Sequence, residues 1–368
     1  MRLVIAGTRG LPANYGGFET YAEQISGQLA ERGVDVYVMT PSYRKNVDYS
    51  HPHVKRLFSF DPEHLFVNKY FRAISTIFYD LLSLFVCCLH KPDVILMCGY
   101  GAAPFFFIPR CFGIKLIVNP DGFEWNSGRW GIFARSWLRS CEFFTALFAN
   151  QIIADDRPVA DRFSRLFNVS PTVIDYGADV VVSSRRPKLT AAGDNYFLCV
   201  ARIVPETRIG LIAASFEKSR RQDRLMIIGP VKDYQYFERE VKPRLCSRII
   251  YVGPLYDKDE LTALRYHAKA LIHGHCSEGT NPSLVESLGC GSVLISIDTR
   301  SNREVAGGEG FFFSTEQELT EVLDSFEELT QPRYGIIGTR NRDRARQRYS
   351  WGAKADDHCK LFRRMGVL

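Results

Sequence analysis

Short apolar runs alternate with longer amphipathic runs along this chain, and the alternation falls into two series. The first predicts strands over residues 3–6, 35–40, 54–58, 94–98, 115–118, 151–154 and 172–174, with helices from Phe18, over 67–89, over 131–148 and near Val159. The second predicts strands over 196–200, 225–228, 249–252, 270–273 and 293–297, with helices from Arg208, over 234–241, over 258–268 and over 282–289. Continuously apolar strands separated by helices indicate a parallel sheet covered on both faces. Between the series, "SSRRPKLTAAGD" (183–194) is polar and small, which marks a linker. The organisation read from this is an α/β chain of two doubly wound domains, 1–184 and 195–345, joined by 185–194 and followed by a helical segment 346–368. Ligands of such sheets bind at the carboxyl ends of the strands, so two such domains face to face enclose a cleft. No short internal repeat or low-complexity tract interrupts the pattern.

Composition adds limits. With 368 residues, 46% of them hydrophobic and 24% charged, the chain has the make-up of a globular protein with room for two cores. Its ten cysteines form no C-x-x-C pair, and Cys87 and Cys88 adjoin inside an apolar run. This indicates neither a disulfide framework nor a zinc site, and fits a reducing cytosol. Met1 and Arg2 lead straight into the first strand, leaving no room for a signal peptide. The most apolar stretch, 73–89, is broken by Asp80 and falls short of the ~20 residues of a spanning helix. Net charge is a modest +6, and Arg340, Arg342, Arg344, Arg346 and Arg348 recur at every second position, which reads as a solvated helix. No nucleic-acid recognition motif accompanies the basic residues.

Candidate chemistry begins with "VIAGTRGLPANYGGFETYAEQIS" (4–26), a strand, a loop bearing Gly7, Gly10, Gly16 and Gly17, and a helix. Such a loop brings backbone close to phosphate, because glycine permits positive φ and a helix start offers unpaired N–H groups. The spacing is not G-x-G-x-x-G, and Gly17 is followed by Phe18 and Glu19 rather than by Lys and Ser/Thr, so both well-known nucleotide loops are excluded.

The richest stretch is "HGHCSEGTNPSLVESLGCGSVLIS" (273–296). Asn281 is placed to cap a helix that starts at Pro282, leaving the N–H groups of Ser283, Leu284 and Val285 for a diphosphate. Glu278 precedes the helix and Glu286 lies inside it, so the two carboxylates can hold paired hydroxyls of a sugar and of a ribose. For Glu286, the solvent side of an amphipathic helix is an equal alternative. His273 and His275 read as pocket lining, with no third ligand for a metal.

Four segments in order, "GGFET" at Gly16, "VARIVPE" at Val200, the Glu278/Glu286 pair with its Gly279, Thr280, Asn281, Ser283 and Leu284, and the terminal "YSWGAKADDHCKLF", resemble the GT-B glycosyltransferases of family 4 over nearly the whole chain. "AGTRGLPANYGGFET", "NPDGFEW", "IDYGAD" and "GTNPSLVE" resemble more narrowly the bacterial β-1,4-rhamnosyltransferases of capsule and cell-wall polysaccharide synthesis.

The resemblance implies a GT-B fold, two Rossmann-like domains facing a deep cleft, with the C-terminal helix crossing back to the N-domain. It implies a donor site on the C-terminal domain and metal-independent, retaining transfer from a nucleotide sugar, dTDP-rhamnose being favoured. Arg202 matches the family's arginine, and Arg208 falls where many members carry lysine, others having it at the position of Thr207. Gly16 and Gly17 would approach the diphosphate from the N-domain, with Tyr15 beside them. Many members place a histidine where this chain reads "VNPDGFEWNSGRW", so Asp121 is the candidate catalytic group, Asp155 the second, and Glu124 and Tyr176 line the pocket; either aspartate could instead cap a helix. The implied acceptor is a polyprenyl-diphosphate-linked saccharide, which places the enzyme in the cytoplasm at the inner face of the cytoplasmic membrane. The segment 130–148, with Trp, Phe and Leu beside arginines, suits an interfacial helix or an ordinary core helix equally. The competing readings are a family 4 transferase using another nucleotide sugar, a GT-B-like nucleotide-sugar epimerase, and a nucleotide-sugar binder without catalysis.

Overall fold

The computed structural model describes the chain except for residues 14–15, 63–68, 121, 123–124, 126–130, 190–192, 194, 278 and 332. It forms two compact units, Met1–Asp175 with Trp351–Leu368, and Tyr176–Ser350.

Unit 1 carries strands β1 (Arg2–Ala6), β2 (Asp35–Pro41), β3 (Val54–Ser59), β4 (Val94–Cys98), β5 (Lys115–Asn119), β6 (Gln151–Ala154) and β7 (Thr172–Val173). They pair in parallel in the order β3-β2-β1-β4-β5-β6-β7. The helices are α1 (Gly17–Glu31), α2 (Lys69–Leu89), α3 (Phe107–Cys111), α4 (Ile132–Phe148) and α5 (Arg157–Phe167). Right-handed crossovers put α2, α3 and α4 on one face, because each moves the chain rightward along the sheet, and α1 on the other. The core beneath α2–α4 joins Val4, Met39, Leu57, Ile95, Met97 and Leu116 of the strands to Tyr79 and Leu84 of α2 and Leu138 and Cys141 of α4.

The final helix, α14 (Trp351–Arg364), belongs to unit 1 and packs on α1. Tyr21 lies against Trp351 and meets His358, hydroxyl to Nε2, at 2.6 Å. His358 Nδ1 faces the Lys354 carbonyl at 2.8 Å. A carbonyl only accepts, so Nδ1 carries the proton and Nε2 accepts from the tyrosine. Burial pushes the imidazole down from its usual 6.5 to about 4 and the tyrosine hydroxyl well up.

Unit 2 carries β8 (Tyr196–Val200), β9 (Arg224–Ile228), β10 (Ile249–Gly253), β11 (Ala270–His273), β12 (Val293–Ile297) and β13 (Phe311–Phe313), parallel in the order β10-β9-β8-β11-β12-β13. Its helices are α6 (Ile209–Lys218), α7 (Tyr234–Tyr236), α8 (Lys258–His267), α9 (Pro282–Gly289), α10 (Arg300–Ala306), α11 (Glu316–Asp324), α12 (Phe326–Thr330) and α13 (Tyr334–Arg344). Alternate residues of β8 serve two cores: Phe197 and Cys199 pack with α6 and α11, Tyr196 and Leu198 with α8 and α9.

Two expectations need correction. The single helix over 234–241 is instead α7 followed by a π-turn, Phe237–Val241. Pro243 cannot donate to the Arg239 carbonyl, so regular α-helix stops short of it. The arginine series is not simply solvated: Arg344 donates to the carbonyls of Glu304 and Val305, Arg342 to that of Cys290, and Arg348 pairs with Glu304 at 2.6 Å. These residues tie α13 and the turn after it to α9 and α10; only Arg340 and Arg346 form exposed pairs, with Glu309 and Asp343.

Tyr21→Phe, which strands the buried Nε2 of His358, should cost about 1–3 kcal/mol in denaturant melts, whereas Tyr21→Phe with His358→Leu should cost much less at neutral pH. Native His358 resists a proton that the unfolded chain accepts below about 6.5, so stability is full above that pH and lost as pH falls through about 4. The double variant should show a shallower loss over that window.

Candidate active site

In unit 2 the strand order reverses at β8, whose neighbours are β9 and β11. Loops leaving the carboxyl ends of β8 and β11 therefore part in opposite directions and open a crevice. After β8 runs the loop that carries Arg202 and Arg208. Its conformation is set by Thr207, buried, whose hydroxyl lies 2.8 Å from the carbonyls of Arg202 and Val204. Thr207 thus folds the loop, and the two arginines stand on its exposed side, neither in an ion pair with any described residue. Arg208 has φ 51 at the start of α6, an uncommon conformation for a side-chain-bearing residue, of the kind that collects at functional sites.

The β11–α9 loop leans on this turn. A Cβ on Gly274 would lie 2.4 Å from the Thr207 carbonyl oxygen, and the Cys276 N–H donates to Glu206 at 3.1 Å. From the far side, Asn302 of α10 donates to the carbonyls of His275 and Ile297, and the Gly279 N–H reaches Ser301 Oγ at 3.3 Å.

Asn281 caps α9, its side chain accepting from Ser283 N–H at 3.1 Å, with Pro282 as the first helical residue. The remaining expectation for this tip is corrected: Leu284 and Val285 N–H both donate to the Asn281 carbonyl, at 3.1 and 3.2 Å, so all three N–H groups reserved for a diphosphate are engaged. Two other polar atoms are left over instead. Ser283 Oγ and His273 Nε2 are buried without a hydrogen-bond partner among the described residues. Burial and the neighbouring His275 push His273 down to about 3, so it is a neutral imidazole. Leu284 and Thr280 are buried.

Glu286 is anchored by a residue that no local sequence pattern singles out. Arg265, buried on α8, pairs with it at 2.6 Å. The carboxylate is held in orientation yet stays one-third exposed, with room to accept hydroxyls.

In unit 1 the order reverses at β1, beside β4. The described part of the glycine-bearing loop there is held by side-chain partners. Glu19 and Glu23 of α1 accept from the N–H groups of Arg9 and Ala13, each at 2.9 Å. Arg44 donates to the carbonyls of Arg9 and Pro12, each at 2.6 Å. Arg9 reaches into the polar interior, its guanidinium over the Tyr79 ring, 3.5 Å from Asp61 and bonded to Thr76. Asp80 is buried there, and burial pushes it up to about 7 against the pull of Arg9. This explains the lone charge in the apolar run: it faces inward. What remains open is the start of α1, which no described side chain caps. Gly16 there has φ 122, and a Cβ on it would meet the Glu19 carboxylate at 1.9 Å, so only glycine fits.

Asp155 follows β6, buried, and its charge contributes to raising the Tyr21 hydroxyl. It is Asp156 that caps α5, accepting from Val159 N–H at 2.8 Å. Tyr176, buried, opens unit 2. Asp121, Tyr15, Glu124 and Glu278 lie outside the described residues. Among the described residues no group of three or more His, Cys, Asp or Glu could hold a metal ion.

Gly274→Ala should displace the arginine-bearing loop, lowering stability by about 1–3 kcal/mol in thermal melts and weakening nucleotide binding in titrations. Gly308→Ala, where an added Cβ meets nothing within 4 Å, should do neither.

Residues 1–179 match a family described as a domain of unknown function, DUF1972, and residues 183–344 match the glycosyl transferases group 1. No curated protein matches the chain. Among solved structures, the sucrose-phosphate synthase of Thermosynechococcus elongatus is 16% identical with a TM-score of 0.80, covering 100% of this chain and 99% of that one. Anabaena HepE in complex with UDP-glucose is 15% identical with a TM-score of 0.73, covering 98% of each chain. The lipopolysaccharide outer core galactosyltransferase WaaB is 14% identical with a TM-score of 0.67, covering 99% of this chain and 100% of that one. The chain therefore has the GT-B fold of two Rossmann-like domains, its residues 183–344 match the glycosyl transferases group 1, and the protein is a transferase.

Proposed function

We propose that this transferase moves L-rhamnose from dTDP-rhamnose to a polyprenyl-diphosphate-linked saccharide at the inner face of the cytoplasmic membrane, in the synthesis of a capsule or other cell-surface polysaccharide. Transfer retains the anomeric configuration and needs no metal. The observation that carries the donor half is the set of groups at the carboxyl ends of β8 and β11: two exposed arginines on a loop fixed by Thr207, the N-terminus of α9, and Glu286 oriented by Arg265. Because the first N–H groups of α9 are already bonded, charge neutralisation of the diphosphate falls to Arg202 and Arg208, with the Ser283 hydroxyl and the helix dipole assisting. Glu286 accepts from the ribose, and Glu278, with Gly279 and Thr280 beside it, from the sugar. Neutral His273 offers its free nitrogen as pocket lining. On unit 1, Gly16 and Gly17 at the start of α1, which no described side chain caps, are a further group suited to phosphate. Asp121 is the proposed base, with Asp155 second. The identity of the sugar rests on the sequence motifs, and the UDP-glucose bound by HepE makes a nucleotide sugar the natural donor class.

Purified protein given a panel of nucleotide sugars and a lipid-linked acceptor should release nucleotide fastest from dTDP-rhamnose; turnover of UDP- or GDP-sugars alone rejects rhamnose. Sugar rearrangement without acceptor would mean an epimerase. Arg202→Ala and Arg208→Ala should each lower kcat/KM about tenfold or more, the worth of a charge-assisted hydrogen bond. Asp121→Asn should remove transfer and leave donor binding, measured by calorimetry, unchanged.

A further inference from the structure

The outer surfaces of α2, α3 and α4, which lie together on one face of unit 1, are apolar where a water-facing surface would be charged. On α2 the exposed residues are Ile74, Phe78, Phe85 and Leu89, spaced so that all four fall on one stripe, with Leu81, Leu82 and Val86 partly exposed beside them. On α4 they are Ile132 at 76%, Phe133 at 90%, Trp137, Phe143 and Leu147. α3 joins the two: Phe112, just after it, meets Phe85 of α2 ring to ring, and Phe107 meets Phe148 of α4. Isolated exposed apolar residues are ordinary, but a continuous patch over three helices marks a surface that is covered in use.

The charge of the patch says by what. The three helices contain two carboxylates, Asp80 and Glu142, and both are buried, Glu142 against Arg162 at 2.7 Å. The exposed charges at the rim are mostly cations: Arg110 at the end of α3, Lys91 beyond α2, and Arg139, whose guanidinium stacks over Trp125 at 4.4 Å; the exposed Asp93 near Lys91 accepts from the Arg2 N–H. No helix among the described residues is long and apolar enough to cross a bilayer. Bulky apolar groups, tryptophan and a predominantly basic rim are the chemistry of a surface that lies in the headgroup region of an anionic membrane.

We infer that the α2–α3–α4 face of unit 1 docks on an anionic lipid bilayer, the apolar stripes entering the interface and Arg110, Arg139 and Lys91 meeting phosphate headgroups. This deepens the proposed function, on which it rests only for the reason a bilayer is needed, and it extends the contact beyond the single segment 130–148 to all three helices.

The test uses the full chain and vesicles that contain no sugar acceptor, so its result is independent of the donor panel. Wild-type protein should co-float with vesicles of phosphatidylcholine and phosphatidylglycerol and bind vesicles of phosphatidylcholine alone more weakly, with salt eroding the difference. Phe85→Glu with Phe133→Glu should lower binding by at least about tenfold, and Arg110→Glu or Arg139→Glu by roughly fivefold or more each. Nucleotide titration and thermal melts verify that the variants are folded. Wild-type protein that stays in solution with anionic vesicles, or variants that bind as wild type does, overturns the inference without touching the transferase reading. Self-association of wild-type protein that Phe133→Glu abolishes, with no vesicle binding, overturns it in favour of a second copy as the cover.

Discussion

Everything functional in this molecule depends on one constraint of parallel sheets: a strand whose two neighbours are reached in opposite directions leaves a gap between its outgoing loop and that of its neighbour. β1 beside β4 and β8 beside β11 are those strands. Parallel pairing buries their backbones completely and points every connection to the same edge, so the loops emerge with fixed spacing and direction. Only then can two arginines, six and twelve residues after the start of β8, and a glutamate some eighty positions later stand at the same edge of the sheet. Gly274 shows how tight the edge is, since its backbone sits where a Cβ would strike the carbonyl of the loop after β8.

On that edge the protein has spent its own hydrogen-bonding groups on stiffness. The loop after β1 has N–H groups held by Glu19 and Glu23 and carbonyls held by Arg44; the loop after β8 is held by Thr207, and the loop after β11 by Asn302 and Ser301. Such loops need little reorganisation when a charged ligand arrives, and their remaining open groups are few and specific. Buried titratable groups follow the same logic: His273 and His358 are kept neutral by desolvation, adding no positive charge of their own at working pH.

Much of this was legible in the chain. The strands of both sheets, the parallel arrangement and the Asn281–Pro282 helix start follow from local patterns, which act over a few residues and leave a period behind them. What escaped was set by distant partners. Arg265 anchoring Glu286 and Arg344 gripping the carbonyls of Glu304 and Val305 involve residues separated by twenty positions or more, and nothing in the neighbourhood of either arginine distinguishes it from a solvated one. Asp80 was visible as an oddity, a charge in an apolar helix, yet its meaning needed Arg9, which reaches it from the loop after β1. The brief helix α3 and the last strand β13 are too short to carry a period at all.

The tip of α9 carries the most consequential difference between pattern and structure. A helix start is read as an anion site because its first N–H groups lack partners, but Asn281 supplies both a side-chain and a backbone acceptor and closes that turn by itself. The electrostatic field of the helix survives this closure, since the peptide dipoles remain aligned; the directional donors do not. Binding of a diphosphate at such a tip must then draw its directional hydrogen bonds from side chains, and guanidinium groups on a rigid loop supply them in a planar fork that matches phosphate oxygens. That is a physical reason for two arginines to stand exposed and without ion-pair partners among the described residues, one of them held in a left-handed conformation, at the edge where β8 ends.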